Sequence, residues 1–232
     1  MEKEYRINLI KRSITALAIV SSIVFIILLK NFWVFSTMIT AICSLAFYEW
    51  VKNDFNKRYS SGLTLIFLFW FCSIYYVFYY ARLTGPHSSI FSSTFDPLSI
   101  YSIFLIIIFN TAIFDTFAYI IGSNFGKNFI TPRISPNKTL EGLIGGLIGT
   151  AIYSLIICYS FNLNFWLILI FIIGGLLAFI GDLKISFHKR QRGVKDTGTL
   201  LPGHGGILDR IDSHLIATPI ILILTIMLLP LL

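Results

Sequence analysis

Between Lys195 and Asp212 the chain reads KDTGTLLPGHGGILDRID. Asp209 and Asp212 stand one helical turn apart with Arg210 between them, and Lys195, Asp196, His204, Gly205 and Gly206 lie just upstream. Carboxylates at i and i+3 share a helix face, and the Gly pair permits close backbone approach and a helix start. Asp182, at the end of a preceding apolar run, can approach from a neighbouring helix. Three hard oxygen donors with no Cys and one nearby His suit Mg²⁺ better than Zn²⁺. Arg210 among them can meet phosphate oxygens bidentately. No Walker A, GxGxxG or HExxH pattern occurs, which disfavours a P-loop ATPase, a Rossmann enzyme or a zincin.

Two further groups of residues have the same character. Ser186, Lys189 and Arg190 follow Asp182 and share a face if that helix continues, and Lys189, Arg190 and Lys195 read as phosphate contacts, whereas Lys184 and Arg192 read as snorkelling cations. Upstream, Ser135, Asn137, Lys138, Thr139 and Glu141 crowd into the start of another apolar run. Backbone N–H groups there, with Lys138, suit a phosphate; an Ser-x-x-Glu type of cap is the structural alternative. Asp115 lies inside an apolar run, where an acid costs about 2.5–3.5 kcal/mol on insertion scales and must face a partner or a polar cavity. Carboxylates for Mg²⁺ and cations for phosphates at a water–lipid boundary point to phosphoryl or nucleotidyl transfer involving a lipid.

What positions these groups is a membrane scaffold. The 232 residues are 56% hydrophobic and 12% charged, with mean hydropathy +0.81, whereas soluble chains carry about 25% charge. Apolar runs at Ser13–Leu29, Phe32–Tyr48, Leu63–Ala81, Leu98–Ile121, Leu143–Ser160, Leu163–Ile180 and Leu215–Leu232 predict an all-α polytopic membrane bundle of about seven helices. With the N-terminus in the cytoplasm, every Lys and Arg except Lys30 and Arg82 falls on the cytosolic side. That puts the loops 122–142 and 181–213 on one face of the cytoplasmic membrane. The chain divides into an N-terminal transmembrane region, 1–97, with about three spans, and a catalytic region, 98–232. The net charge of +7 reflects topology, and nucleic acid is not an expected partner. Cys43, Cys72 and Cys158 all sit in apolar runs and form neither a disulfide framework nor a zinc site. Gly142, Gly145, Gly146 and Gly149 read as a helix-packing face. The segment Thr84–Asp96 reads as an outward loop with solvated His87 and Asp96. No internal repeat, and so no inverted-repeat transporter pattern, is evident.

The run SFHKRQRGVKDTGTLLPGHGGILDRID closely resembles the signature of phosphatidate cytidylyltransferases, and DTFAY…G…GK…SPNKTLEG and GDL…S resemble that family too. The likeness covers Asp115 to Ser213; residues 1–97 match only as apolar spans. It implies a Mg²⁺-dependent reaction of CTP with phosphatidic acid, giving CDP-diacylglycerol and pyrophosphate, and a homodimer in the bilayer. It implies metal binding by Asp182, Asp209 and Asp212, and phosphate binding by Lys138, Lys189, Arg190, Lys195 and Arg210, with Ser135, Asn137, Thr139 and Ser186 nearby. Asp196 and His204 belong to the motif; Asp115 and Glu141 are supporting residues. Two positions depart from the family: Ile185 stands where an acid is common, and His188 where an apolar residue is usual. A transporter would explain the spans but leave the KD…HGG…DRID block without a task. A CTP-dependent lipid-alcohol kinase is the nearer alternative.

Overall fold

The structure, a computed structural model, describes residues 17, 20–55, 61–84, 100–201 and 205–228. A helix covers 20–28 (α1). It is followed by α2 (Phe32–Lys52), α3 (Ser61–Thr84), α4 (Ile100–Phe125), α5 (Leu140–Phe161), α6 (Trp166–Gln191), the single turn α7 (Leu208–Ile211) and α8 (His214–Leu228). A two-stranded antiparallel hairpin, β1 (Phe129–Thr131) and β2 (Ser135–Thr139), separates α4 from α5. The protein is an all-α polytopic membrane protein apart from this hairpin. Among the described residues five helices, α2 to α6, are long and apolar enough to cross a bilayer, and α8 is a shorter apolar helix. The first expected run begins at, and the last extends into, residues outside those described, as do His87, Asp96 and His204.

Chemistry at the helix ends sets most boundaries. Asn31 caps α2 by accepting from the Trp33 and Val34 N–H groups at 2.9 and 3.2 Å. Thr139 caps α5 through Gly142 N at 3.1 Å, and left-handed Asn162 (φ 51°) closes it. The largest departure from expectation is α6, which runs to Gln191 rather than stopping at Ile180. Its charged last turns are satisfied by partners on other elements, so the helix need not break where hydrophobicity ends.

The bundle centre is α4, α5 and α6. A Cβ placed at Gly145, Gly146 or Gly149 of α5 would come within 2.5–2.6 Å of Ile121, Phe114 or Phe117 of α4. These glycines let the two backbones approach closely, as small-residue faces do in lipid. Buried polar links tie the same helices: Asn110 Nδ2 donates to Phe171 O at 3.1 Å and Tyr153 Oη to Ile106 O at 3.0 Å. Cys43, Cys72 and Cys158 are buried free thiols, as their apolar settings predict.

Candidate active site

The ends of α2, α4 and α6, the starts of α5, α7 and α8, and the hairpin meet at one end of the bundle. Arg190 Nε donates to Ile134 O at 3.2 Å and its Nη1 to Val194 O at 3.1 Å. The Arg192 guanidinium donates to the Asp54 carbonyl. Loops 122–142 and 181–213 therefore lie side by side, as their shared positive charge predicts.

The signature loop leaves α6 through a left-handed glycine. Gly193 has φ +66°, and Gly193 N and Val194 N donate to Arg190 O and Lys189 O at 3.1 and 3.0 Å. This is the 5→2 and 6→1 pair that ends a helix when the next residue is glycine. The loop then folds around Asp209. Its Oδ1 pairs with Lys189 Nζ at 2.8 Å, and its Oδ2 accepts from Thr197 N (2.8 Å), Thr197 Oγ1 (3.0 Å) and Gly206 N (3.0 Å). Burial alone would push this carboxyl up, but the Lys189 hydrogen bond, with the backbone donors, wins and holds it below the ordinary carboxylate range.

A second ion pair lies about two turns earlier on α6. Lys138 Nζ, from β2, meets Asp182 Oδ2 at 2.6 Å and sits 4.5 Å from the Phe179 ring centroid. Asp182 Oδ1 accepts from Ser186 Oγ at 3.0 Å, one turn along the same helix. A Cβ on Gly181 would fall 2.6 Å from Asp212 O, so α6 presses its backbone against the start of α8 here. Asp212 is nearly buried, and burial, then the charge of Asp182, push its carboxyl well above the ordinary range. Asp115 Oδ2 accepts from Ser213 Oγ at 3.0 Å and lies within electrostatic reach of Asp182 and Lys138. The membrane acid thus has the polar partner that its setting demands.

Asp182 and Asp115 lie near Lys138, Asp209 is held by Lys189 and its own loop, and Asp212 lies within electrostatic reach of Asp182, Lys189 and Asp115. Among the described residues no three His, Cys, Asp or Glu side chains form a metal-ligating group. Like-charge crowding at Asp182 and Asp212 is nevertheless the condition that a divalent cation relieves. Mg²⁺ is commonly held by one or two carboxylates with waters and substrate phosphates completing its shell. Asp182 and Asp212 supply carboxylates of the kind that ion takes, Asp182 with its oxygens bonded to Lys138 and Ser186.

The remaining expected residues divide by surroundings. Asn137, Arg190, Lys195, Asp196 and Arg210 are exposed, while Ser186 and Lys189 are buried. Ser135 and Thr139 are the two ends of β2. Glu141 accepts from Lys127 N (3.1 Å), Asn128 N (3.2 Å) and Asn128 Nδ2 (2.7 Å), so it fastens the turn before β1. Ile185 is fully buried, pointing into the core. His188 packs among aromatic rings, 5.0 Å from Trp50 and 6.3 Å from Phe55, with Nδ1 2.7 Å from Lys184 O. It fills the space that an apolar side chain would take.

One residue of this site escaped the reading of the sequence. Glu49 of α2 is 1% exposed, and its Oε1 accepts from Ile207 N at 2.9 Å. Its Oε2 accepts from Leu208 N at 2.9 Å and lies 2.9 Å from Thr197 Oγ1, whose single proton Glu49 and Asp209 share. Its place one residue past the apolar run Phe32–Tyr48 hid it, since only the structure extends α2 to Lys52 and buries it.

Residues 90–228 match the family model described as "Cytidylyltransferase family". The chain belongs to the cytidylyltransferase family. Over 115 residues it is 51% identical to the phosphatidate cytidylyltransferase of Staphylococcus haemolyticus, which is 48% of this chain and 44% of that protein. The phosphatidate cytidylyltransferases of Staphylococcus aureus and Staphylococcus epidermidis are 50% and 45% identical over stretches of the same length. The matched stretch thus spans less than half the length of these curated relatives. Membership in this family sets a transporter aside and makes the cytidylyltransferase architecture the frame in which the paired Lys–Asp groups are to be understood.

Proposed function

We propose that the protein transfers the cytidylyl group of CTP to phosphatidic acid, giving CDP-diacylglycerol and pyrophosphate. The observation that carries this reading is the meeting of two Lys–Asp pairs, Lys138–Asp182 and Lys189–Asp209, at the end of a bundle of membrane helices. Family membership and the names of the relatives support it. Phosphate monoesters are already largely dianionic at neutral pH, so the nucleophile needs no strong base. One oxygen of the lipid phosphate bonds to the α-phosphorus of CTP in line with the breaking bond to the β-phosphate oxygen, and pyrophosphate departs with that electron pair. The chain's task is to gather and neutralise anions. Lys138 binds a phosphate as it gives up part of its hold on Asp182. Exposed Lys195 and Arg210 reach nucleotide phosphates from the loop, and Asn137 and Ser135 lie along the hairpin beside Lys138. Arg190 ties the hairpin to α6 and leaves its remaining N–H groups for phosphate. Asp182 and Asp212 would hold Mg²⁺, which when bound supplies charge neutralisation to the departing pyrophosphate.

The site faces the cytosol of the cytoplasmic membrane in this reading, because the loops 122–142 and 181–213 that form it are rich in Lys and Arg. The resemblance supports a homodimer. The test is purified protein with phosphatidic acid, Mg²⁺ and CTP labelled either in the cytidine or at the γ-phosphate. Cytidine label should enter the lipid and γ-label should leave as pyrophosphate. Label transferred to a lipid from the γ-position would instead identify a kinase.

A further inference from the structure

The glycines of the signature loop leave a socket, and an acid from the other end of the sequence fills it. A Cβ on Gly198 would fall 2.5 Å from Glu49 Oε1, and one on Gly206 would collide with Glu49 Oε2 and Thr197 Oγ1. The N-cap of α7, Ile207, supplies no side-chain hydrogen bond to the turn. Glu49 takes that role from α2, receiving the Ile207 and Leu208 N–H groups. Thr197 Oγ1 then stands between two carboxylates, 2.9 Å from Glu49 and 3.0 Å from Asp209. Asn53, one turn after Glu49, adds a hydrogen bond from its Nδ2 to Thr197 O at 2.6 Å. Trp50 beside it is fully buried, with its ring over the site of Gly62, so the α2 end that carries Glu49 is itself fixed. The chain of contacts runs from Glu49 through Thr197 to Asp209 and Lys189. Glu49 lies outside residues 90–228, which match the family model.

We propose that Glu49 is a positioning residue for the nucleotide end of the reaction: its buried carboxylate sets the Thr197–Leu208 loop, and through it Asp209 and Lys189, before CTP arrives. This rests on the cytidylyl-transfer reading above. Glu49 touches no reacting atom; it acts by fixing where Lys195, Arg210 and Lys189 stand. Both oxygens are used, so a carboxamide of the same shape keeps one acceptor and loses the other. The Lys138–Asp182 pair, joined to the hairpin and α6 rather than to Glu49, should not feel the change.

The experiment uses the full chain in lipid nanodiscs, comparing wild type with Glu49→Gln, Thr197→Val and the double variant. Glu49→Gln should lower kcat/KM for CTP roughly tenfold or more, the loss expected when hydrogen bonds to a charged group go. KM for phosphatidic acid should stay within about twofold. The double variant should be little worse than the worse single one, because both act through one hydrogen-bonded unit. Amide exchange at Ile207 and Leu208 should speed up in Glu49→Gln whatever the activity. Unchanged exchange there, unchanged CTP kinetics, or an equal loss for both substrates with a lowered Tm would each overturn the proposal. A wild-type protein that makes no CDP-lipid would sink the functional reading alone, leaving the exchange measurement to decide whether Glu49 holds the loop.

Discussion

Lys189→Met removes one half of an ion pair whose side chains are 10% and 4% exposed. Deleting a single partner from a buried pair leaves the other charge uncompensated, at a cost of roughly 3–5 kcal/mol. Thr197 and Gly206 still donate to Asp209 Oδ2, which argues for about 3 kcal/mol, the lower end of that range. At 1.36 kcal/mol per decade, that lowers the population of the ordered loop by about two orders of magnitude. The sign of the pH effect follows from Asp209. Its folded-state carboxyl lies below the ordinary value, so it contributes stability that is present above the unfolded value near 3.8 and is lost as pH falls through the lower folded value. Without Lys189, burial remains and the largest opposing influence is gone, so the carboxyl rises. The acid-side loss should therefore begin at higher pH in the variant than in wild type. CDP-diacylglycerol formation and Tm followed together across the acid range in nanodiscs measure both effects. A variant with wild-type rate, or one whose acid limb does not move upward, would refute the assignment of Lys189 as the counter-charge of Asp209.

Other substitutions probe the remaining parts. Lys138→Met leaves Asp182 with Ser186 alone and should cut kcat/KM by about a hundredfold or more, the scale of losing one electrostatic donor at a phosphoryl centre; Lys138→Arg should recover part of it, and steady-state kinetics with both substrates will tell. Gly146→Leu drives a side chain into Phe114 and should destabilise the α4–α5 packing by about 1–3 kcal/mol, seen as a lower Tm in detergent. Cysteines introduced at Lys127 and Gln191 should be labelled from the same face of sealed vesicles by an impermeant maleimide, the native thiols being buried. Opposite faces would contradict the packing of the two loops. Chelation of divalent cations should abolish transfer, and Mg²⁺ should restore it; activity that persists in excess chelator would remove the metal from Asp182 and Asp212.

The sequence by itself determined the membrane class, the apolar runs that become α2 to α6 and the co-location of the two polar loops. Those follow from one-dimensional quantities: runs of apolar residues set by bilayer thickness, and the side on which Lys and Arg accumulate. The signature's residue types also singled out Asp182, Asp209 and Asp212 as candidate metal ligands and Lys189 as a candidate phosphate contact. Which carboxylate meets which cation was a matter for tertiary structure alone. Asp209 and Asp212 are three residues apart, yet one turns to Lys189 and the other lies against Gly181 and Asp182. In a single-turn helix, orientation comes from what packs on each side rather than from helical periodicity. Glu49 shows the same limit more sharply. It is separated from Leu208 by 159 positions, and its meaning depends on glycines that are empty space until α2 is packed against them. A buried acid announces that a partner exists; only the folded chain decides who that partner is.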